Sequence, residues 1–448
     1  MLPSRLHISR GQALIEILIS LAIFSILTHA LLTLVTTTYS VNIFNRTRIS
    51  ARHLAQEKIE YIRNMPYENI GIVGGIPSGN IQPAETVSIN DIVYTVNTSI
   101  IYIDDPFDEL TPDDLLPADY KRVSIEIYWE GVDSSGKNPL KMITDISPAS
   151  IETTLTGGTL SIYVFDANAL PVPQADVAII STGTDPIVNM TIKTNDSGRV
   201  ILPGAPVCRR ACYQIAVSKD GYSSERTYST EEVDNPAKPI LSVLQGEITE
   251  SSFAIDKVGT INVNSYKDRS SNFETLPGTT FTIRGQKTIG TDSDDNPVYK
   301  YQDIFTTDGA GSITLENMEW DNYTIFIDSA VGDISGLNPP PSISLLPESV
   351  VNTKMAVSSH SGNSVLISFV NPSGTEIASV SARLYDNAGY EATSSAGAQG
   401  YPDFGQVFFP DLQQKIYSLT ATLSGYFDYN SNVDSYGYKQ QKIILNPI

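Results

Sequence analysis

The sequence predicts an α+β unit, one very long N-terminal helix carrying a small antiparallel sheet, followed by a series of all-β sandwiches. Three observations predict it. No proline interrupts the chain between Gln12 and Met65, and the later chain is rich in Val, Ile, Thr and Tyr runs punctuated by 30 Gly and 26 Pro. The third is length: 448 residues are too many for one core and suit roughly three or four domains of about 100–150 residues each.

The helix comes first. Residues 13–35 are almost continuously apolar, broken by Glu16, His29 and scattered Ser and Thr. At 1.5 Å per residue such a run spans about 30 Å, the thickness of a hydrocarbon core. Arg5 and Arg10 precede it with no acidic residue, which places the N-terminus in the cytoplasm and everything after Val35 outside the cytoplasmic membrane. Glu16 is out of keeping with a plain anchor or signal peptide, because a carboxylate within a membrane helix costs roughly 2.5–3.5 kcal/mol and is kept for a partner. Beyond residue 39 the helix turns polar but retains a stripe through Val41, Phe44, Ala51, Ala55, Ile59 and Ile62, with Arg46, Arg48, Arg52, Glu57, Lys58, Glu60 and Arg63 on other faces. Pro66 stops it, giving a rod of roughly 80 Å whose C-terminal half is expected to pack on the adjoining domain.

The segment Arg10-Gly11-Gln12-Ala13-Leu14-Ile15-Glu16 resembles the prepilin processing site of type IV pilins and pseudopilins. The stretch Leu54-Ala55-Gln56-Glu57-Lys58-Ile59-Glu60, followed by Arg63-Asn64-Met65-Pro66-Tyr67, is similar to the helix end of minor pilins and pseudopilins. The resemblance implies a leader of residues 1–11 cut after Gly11 by a prepilin peptidase, Gln12 as the methylated new N-terminus, and Glu16 as the assembly glutamate. It also implies other pilin subunits and an inner-membrane assembly platform as partners. Gln12 departs from the phenylalanine usual in the family, which bears on methylation. In a filament, Glu16 would neutralise a neighbour's α-amino group, so that a paired charge replaces two buried unpaired ones.

After the helix (12–66), residues 67–155 read as a head with strands at 92–102, 121–129 and 140–146. From Gly157 three loosely similar units follow, at 157–250, 257–357 and 362–448, each of a length suited to a seven-stranded sandwich. Each pairs strand-and-turn signals with a Tyr strand around Tyr213, Tyr323 or Tyr417; Thr194-Asn195-Asp196-Ser197-Gly198 and Thr307-Asp308-Gly309 mark turns in the first two. These units resemble carboxypeptidase regulatory-like and other prealbumin-type, Ig-like sandwiches, modules that serve as spacers or binding surfaces without chemistry of their own. Asn235-Pro236-Ala237, Asn338-Pro339-Pro340-Pro341 and residues 358–362 are expected to be linkers of a stalk.

Chemistry is sparse. His7, His29, His53 and His360 show no paired spacing, and neither a Gly-x-Ser-x-Gly elbow nor a phosphate-cradling loop is present. No enzyme and no cofactor are expected. A formal charge of −21 disfavours nucleic acid as a partner of the folded part. Cys208 and Cys212 are expected to form a local disulfide worth about 2 kcal/mol. Two acidic stretches invite calcium: the loop holding Asp104, Asp105, Asp108, Glu109, Asp113, Asp114 and Asp119, and Asp292, Asp294, Asn296 with Asp303. The second has Pro297 where an EF-hand-like loop needs glycine, so it reads as a hairpin turn and the first as a solvated loop. Two functions remain open: a minor pilin or pseudopilin displaying adhesive modules to an unknown surface ligand, and a permanently anchored adhesin or scaffold.

Overall fold

The computed structural model describes residues 10–105, 107, 118–129, 139–148 and 157–448, with the side chains of residues 10–16 outside the description. One helix runs over Arg10–Arg63, about 80 Å at 1.5 Å per residue. Its C-terminal half packs as the stripe predicts: Ala51, Leu54, Ala55, Ile59 and Ile62 are buried, Phe44 is half-buried, and Val41 is exposed. They lie against an antiparallel sheet of Ala84–Ile89, Ile92–Ile103, Tyr120–Trp129 and Leu140–Ile146, paired in chain order. Alternate residues of the central strands, among them Tyr94, Val96, Ile125 and Ile127, fill the core beneath the helix. The first strand is absent from the sequence reading. Its Ala-Glu-Thr-Val-Ser-Ile run is weakly apolar, and its hairpin turns on Asn90 and Asp91, both at positive φ (51° and 64°), the geometry of a type I′ turn without its usual glycine.

Lys121 fastens the loop after the helix. Its Nζ donates to the Tyr67 and Ile70 carbonyls at 2.8 and 2.6 Å, and burial pushes its pKa down to about 8.

Three β-sandwiches follow with one topology. The first stacks Ile248–Ala254, Gly158–Phe165 and Arg199–Ala205 on a sheet ordered Glu225–Arg226, Cys208–Ser218, Asp176–Ser181, Val188–Lys193. The second sets Ser312–Met318, Gly259–Lys267, Val350–Ser358 and Asp333–Asn338 against Gln302–Thr306, Thr280–Gly285, Asp321–Phe326 and Ile343–Leu345. The third sets Gln406–Phe409, Ser364–Val370 and Tyr438–Ile444 against Glu391–Ser395, Ser381–Tyr385, Ile416–Thr422 and Tyr429–Asp434. In all three the first strand pairs in parallel with the last. The chain therefore leaves each sandwich at the end opposite its entry, the condition for modules in series.

The expected tyrosines occupy equivalent strands. Tyr213, Tyr323 and Tyr417 are at most 1% exposed. The hydroxyls of the first two donate to the Pro206 and Glu319 carbonyls at 2.7 Å, and that of Tyr417 accepts from the Gln413 amide at 3.0 Å. Each thereby ties its strand to backbone four to seven residues upstream, as in a tyrosine corner. Burial raises the pKa of Tyr213 and Tyr323 well above the ordinary phenol value.

Two expected linkers are not linkers. Asn235–Pro236 is a short strand paired with Thr288–Thr291 of the second sandwich, and the first sandwich closes afterwards with Ile248–Ala254, so its limit lies beyond residue 250. The Pro339–Pro341 run joins two strands inside the second sandwich, Asp333–Asn338 and Ile343–Leu345. Proline composition marks a break in a strand equally well inside a sandwich and between two. Residues 359–363 do connect the last two modules, between Val350–Ser358 and Ser364–Val370.

Candidate assembly helix and module joints

From residue 17 on, the N-terminal half of the helix has no packing partner among the described residues. Among residues 17–35 the large apolar side chains are all at least half exposed, from 50% at Val35 to 69% at Ile26. Several threonine hydroxyls are satisfied within the helix: Thr28 donates to the Phe24 carbonyl, Thr33 to His29 and Thr38 to Leu34, at 2.8–2.9 Å. A rod that hydrogen-bonds its own backbone and several of its hydroxyls and presents mainly apolar groups is what a hydrocarbon medium admits. This helix is long and apolar enough to cross a membrane.

Gly11, Gln12 and Glu16 stand in the first turns of this helix, with their side chains outside the described atoms. Asp108, Glu109, Asp113 and Asp114 of the acidic loop lie outside the described residues. At the loop's base the Asp105 amide donates to the Asp119 carboxylate.

Asp292, Asp294 and Asn296 form the tip of the hairpin joining Thr288–Thr291 to Pro297–Tyr299. The Asp292 carboxylate accepts from the Asp294 and Asn296 amides at 3.0 and 2.8 Å and from the Asn296 side chain at 3.1 Å, which lowers its pKa. Asp303 belongs to the separate strand Gln302–Thr306. Among the described residues no three His, Cys, Asp or Glu come together as a metal site would require. Cys208 and Cys212 are joined as a disulfide across the turn of Arg209, Arg210 and Ala211, with Cα atoms 6.4 Å apart.

The structure adds joints between neighbouring units that sequence reasoning missed. Ile76 and Tyr102 of the head pack against the core of the first sandwich, beside a cavity of about 390 Å³ also lined by Asp185, Pro206 and Gln245. At the next joint the Lys300 ammonium sits between Glu225 of the first sandwich and Glu319 of the second, at 3.0 and 2.8 Å, and donates to the Ser224 carbonyl at 2.8 Å. Burial pulls its pKa down, but the two carboxylates outweigh burial and hold it above the ordinary lysine value.

The last joint is the most extensive. The Gln406 side chain pairs with Leu337 as a strand would, its Nε2 donating to the carbonyl at 2.5 Å and its Oε1 accepting from the amide at 2.9 Å. Asp333 is buried in the second sandwich and accepts from Ser364 Oγ at 2.8 Å, with His360 Nδ1 at 2.7 Å. In the reverse sense Asp403 of the third sandwich accepts from Arg269 Nε of the second at 2.6 Å; burial raises the Asp403 pKa, with Arg269 opposing. Leu366 of the third sandwich lies in the core of the second, with Phe408 and Tyr438 packed against it. No residue spacing announces these contacts, since each joins positions far apart in the chain through backbone carbonyls or single side chains.

No protein-family model and no curated protein matches the chain. Among solved structures it is similar to the Bacillus anthracis TIE protein, at 12% identity over 82% of this chain and 76% of that one, with a TM-score of 0.19. It is also similar to the Streptococcal ancillary pilin, at 11% identity over 65% and 99% with a TM-score of 0.19. BcpA, the major pilin subunit of Bacillus cereus, matches at 9% identity over 65% and 100% with a TM-score of 0.16. Likeness at this level of identity and superposition assigns neither family nor activity to this chain.

Proposed function

We propose that this chain is a minor type IV pilin or pseudopilin, whose helix passes from the cytoplasmic membrane into a filament while the head and three sandwiches project for adhesion or interaction. One observation carries the reading: the helix is divided into an apolar half with no packing partner among the described residues and a half packed on its own head. Fully burying one large apolar side chain is worth roughly 1.5–3 kcal/mol, so a run of such residues is not stable in water and requires lipid or neighbouring helices. The segment from Arg10 to Glu16 supports the filament over permanent anchorage, because its glutamate gains a partner only when another subunit's N-terminus arrives. A minor position follows from bulk, since three sandwiches on every subunit would crowd a filament. The proposal gives the chain no catalytic step; its partners are a prepilin peptidase, other pilin subunits and an assembly platform.

The N-terminal mass of protein from cells containing a prepilin peptidase tests this. A chain beginning at Gln12, with or without one methyl group, is expected; an intact N-terminus would favour the anchored adhesin. Glu16→Ala should leave membrane insertion intact or slightly improved, since removing a carboxylate from hydrocarbon is favourable by roughly 2.5–3.5 kcal/mol, while depleting the protein from sheared filaments. Equal amounts of variant and parent in those filaments would remove Glu16 from the mechanism.

A further inference from the structure

The three sandwiches treat their last strand differently. Each last strand pairs in parallel with the first, which leaves its other edge to the segment between the tyrosine strand and itself: residues 219–247, 327–349 and 423–437. In the first sandwich Lys238 of that segment donates from Nζ to the Ser252 carbonyl of Ile248–Ala254 at 2.6 Å. In the second, Asp333–Asn338 pairs antiparallel with Val350–Ser358, setting Ile334 and Leu337 opposite Val357 and Met355. The third sandwich has the shortest such segment, and the strand within it, Tyr429–Asp434, pairs with Ile416–Thr422 in the other sheet. Tyr438–Ile444 therefore pairs with Ser364–Val370 alone.

The hydrogen bonds define which groups this leaves open. The Ser364 amide donates to the Gly437 carbonyl at 3.2 Å, and the Leu445 amide to the Val370 carbonyl at 2.9 Å. A parallel ladder engages every second residue, so the odd-numbered residues from 437 to 445 face Ser364–Val370. The backbone groups of Gln440, Lys442 and Ile444 face outward, and among the described residues they meet no hydrogen-bond partner. All three residues are exposed, Ile444 at 53%, while Ile443 beside them is buried in the core. Lys439 is held by Asp434 at 3.6 Å, whereas Lys442 has no ion pair among the described residues. A lysine on an edge hinders indiscriminate pairing, and a carboxylate across from it favours pairing.

We propose that the outer edge of Tyr438–Ile444 docks an extended segment of a partner protein, added as an antiparallel strand with apolar side chains beside Ile443 and a carboxylate beside Lys442. The second sandwich shows the geometry, because the same edge of its last strand carries such a strand. Main-chain bonds supply the attachment in this mode, and alternate side chains supply the choice of partner. The strand that this chain itself uses in that way, Asp333–Asn338, is committed to the second sandwich in every copy, so the occupant comes from a different protein. The inference goes beyond the filament reading and does not rest on it: an intact N-terminus would leave it standing, and its failure would leave the filament reading untouched.

The probe is a synthetic peptide with the sequence of residues 331–340, titrated into the purified full-length chain in detergent micelles. Amide exchange at Gln440, Lys442 and Ile444 should slow as the peptide saturates. Proline is tolerated on an edge where its missing amide would face solvent, so Lys442→Pro should melt with the parent yet bind the peptide at least about tenfold more weakly. Gln441→Pro, whose amide the ladder assigns to Ser364–Val370, should melt distinctly lower. Gln440→Pro repeats the binding test at a second outward amide, should Lys442→Pro melt low. Lys442→Glu should weaken binding by about two- to fivefold, and a peptide carrying Asp333→Lys should restore it. No slowing of exchange in the parent, slowing at Lys354, Ala356 and Ser358 in its place, equal peptide binding by both outward-amide proline variants, or a Gln441→Pro chain that melts with the parent would each overturn the proposal.

Discussion

Replacing Gly336 by valine should separate the last two sandwiches. A Cβ at this position would stand 2.8 Å from Asp403 Cβ and 2.9 Å from its Cα, closer than real contacts allow, and the obstacle is backbone and Cβ, not the end of a flexible side chain. The strand must shift, and with it the paired bonds between Leu337 and the Gln406 amide. Overpacking costs about 1–3 kcal/mol and each lost hydrogen bond about 0.5–1.5 kcal/mol, so a loss near 3 kcal/mol is expected. Limited proteolysis should then cut within residues 359–363 many times faster than in the parent, and Leu366 and Tyr438 should become accessible to solvent. Gly309→Ala is the control, because a Cβ there meets nothing within 4 Å. Unchanged cleavage in Gly336→Val would mean that the joint does not hold the two modules together.

Lys300→Met should open the joint before it. The Lys300 side chain is 14% exposed and its carboxylate partners Glu225 and Glu319 are 13% and 17% exposed, so the methionine variant leaves two largely buried carboxylates without their shared cation. Breaking a buried pair from one side costs about 3–5 kcal/mol. Lys287, at 2.8 Å from Glu319, will offset part of that, which places the expected loss toward the lower end. Faster hydrogen exchange at Ala237, whose amide donates to the Ile289 carbonyl across the joint, measures it. Adding Glu225→Gln should recover part of the loss by removing one stranded charge.

The same lysine sets a pH dependence. Its folded pKa is raised, so its stabilisation is fully present below the unfolded lysine value of about 10.4 and is lost as pH rises through the folded one. Exchange at the joint should therefore accelerate at alkaline pH in the parent and show no such step in Lys300→Met.

Much of this architecture is legible in the residues, and the reason differs by element. The helix was readable because its signal is long, with apolar content, stripe and terminal proline agreeing over 54 residues. Central strands such as Ile92–Ile103 and Tyr120–Trp129 were readable because alternation reports a sheet with one buried face. Ala84–Ile89 and Val188–Lys193 were not, since edge strands bury little and carry a diluted pattern. The two proline-containing segments misled for a related reason: proline forbids a central ladder position but does not say whether the break falls inside a domain or between two.

By itself the sequence determined the class of each unit, their order, the division of the helix into lipid-like and head-packing halves, and the pairing of Cys208 with Cys212. Periodicity and short motifs are local properties, and these features are local. Tertiary structure alone decided how the units join: the shared core around Leu366, the Gln406 side chain acting as a strand, the Lys300 ion bridge, and which charge on the helix is taken by the head. Such contacts depend on where distant backbones meet, and composition carries no record of that meeting.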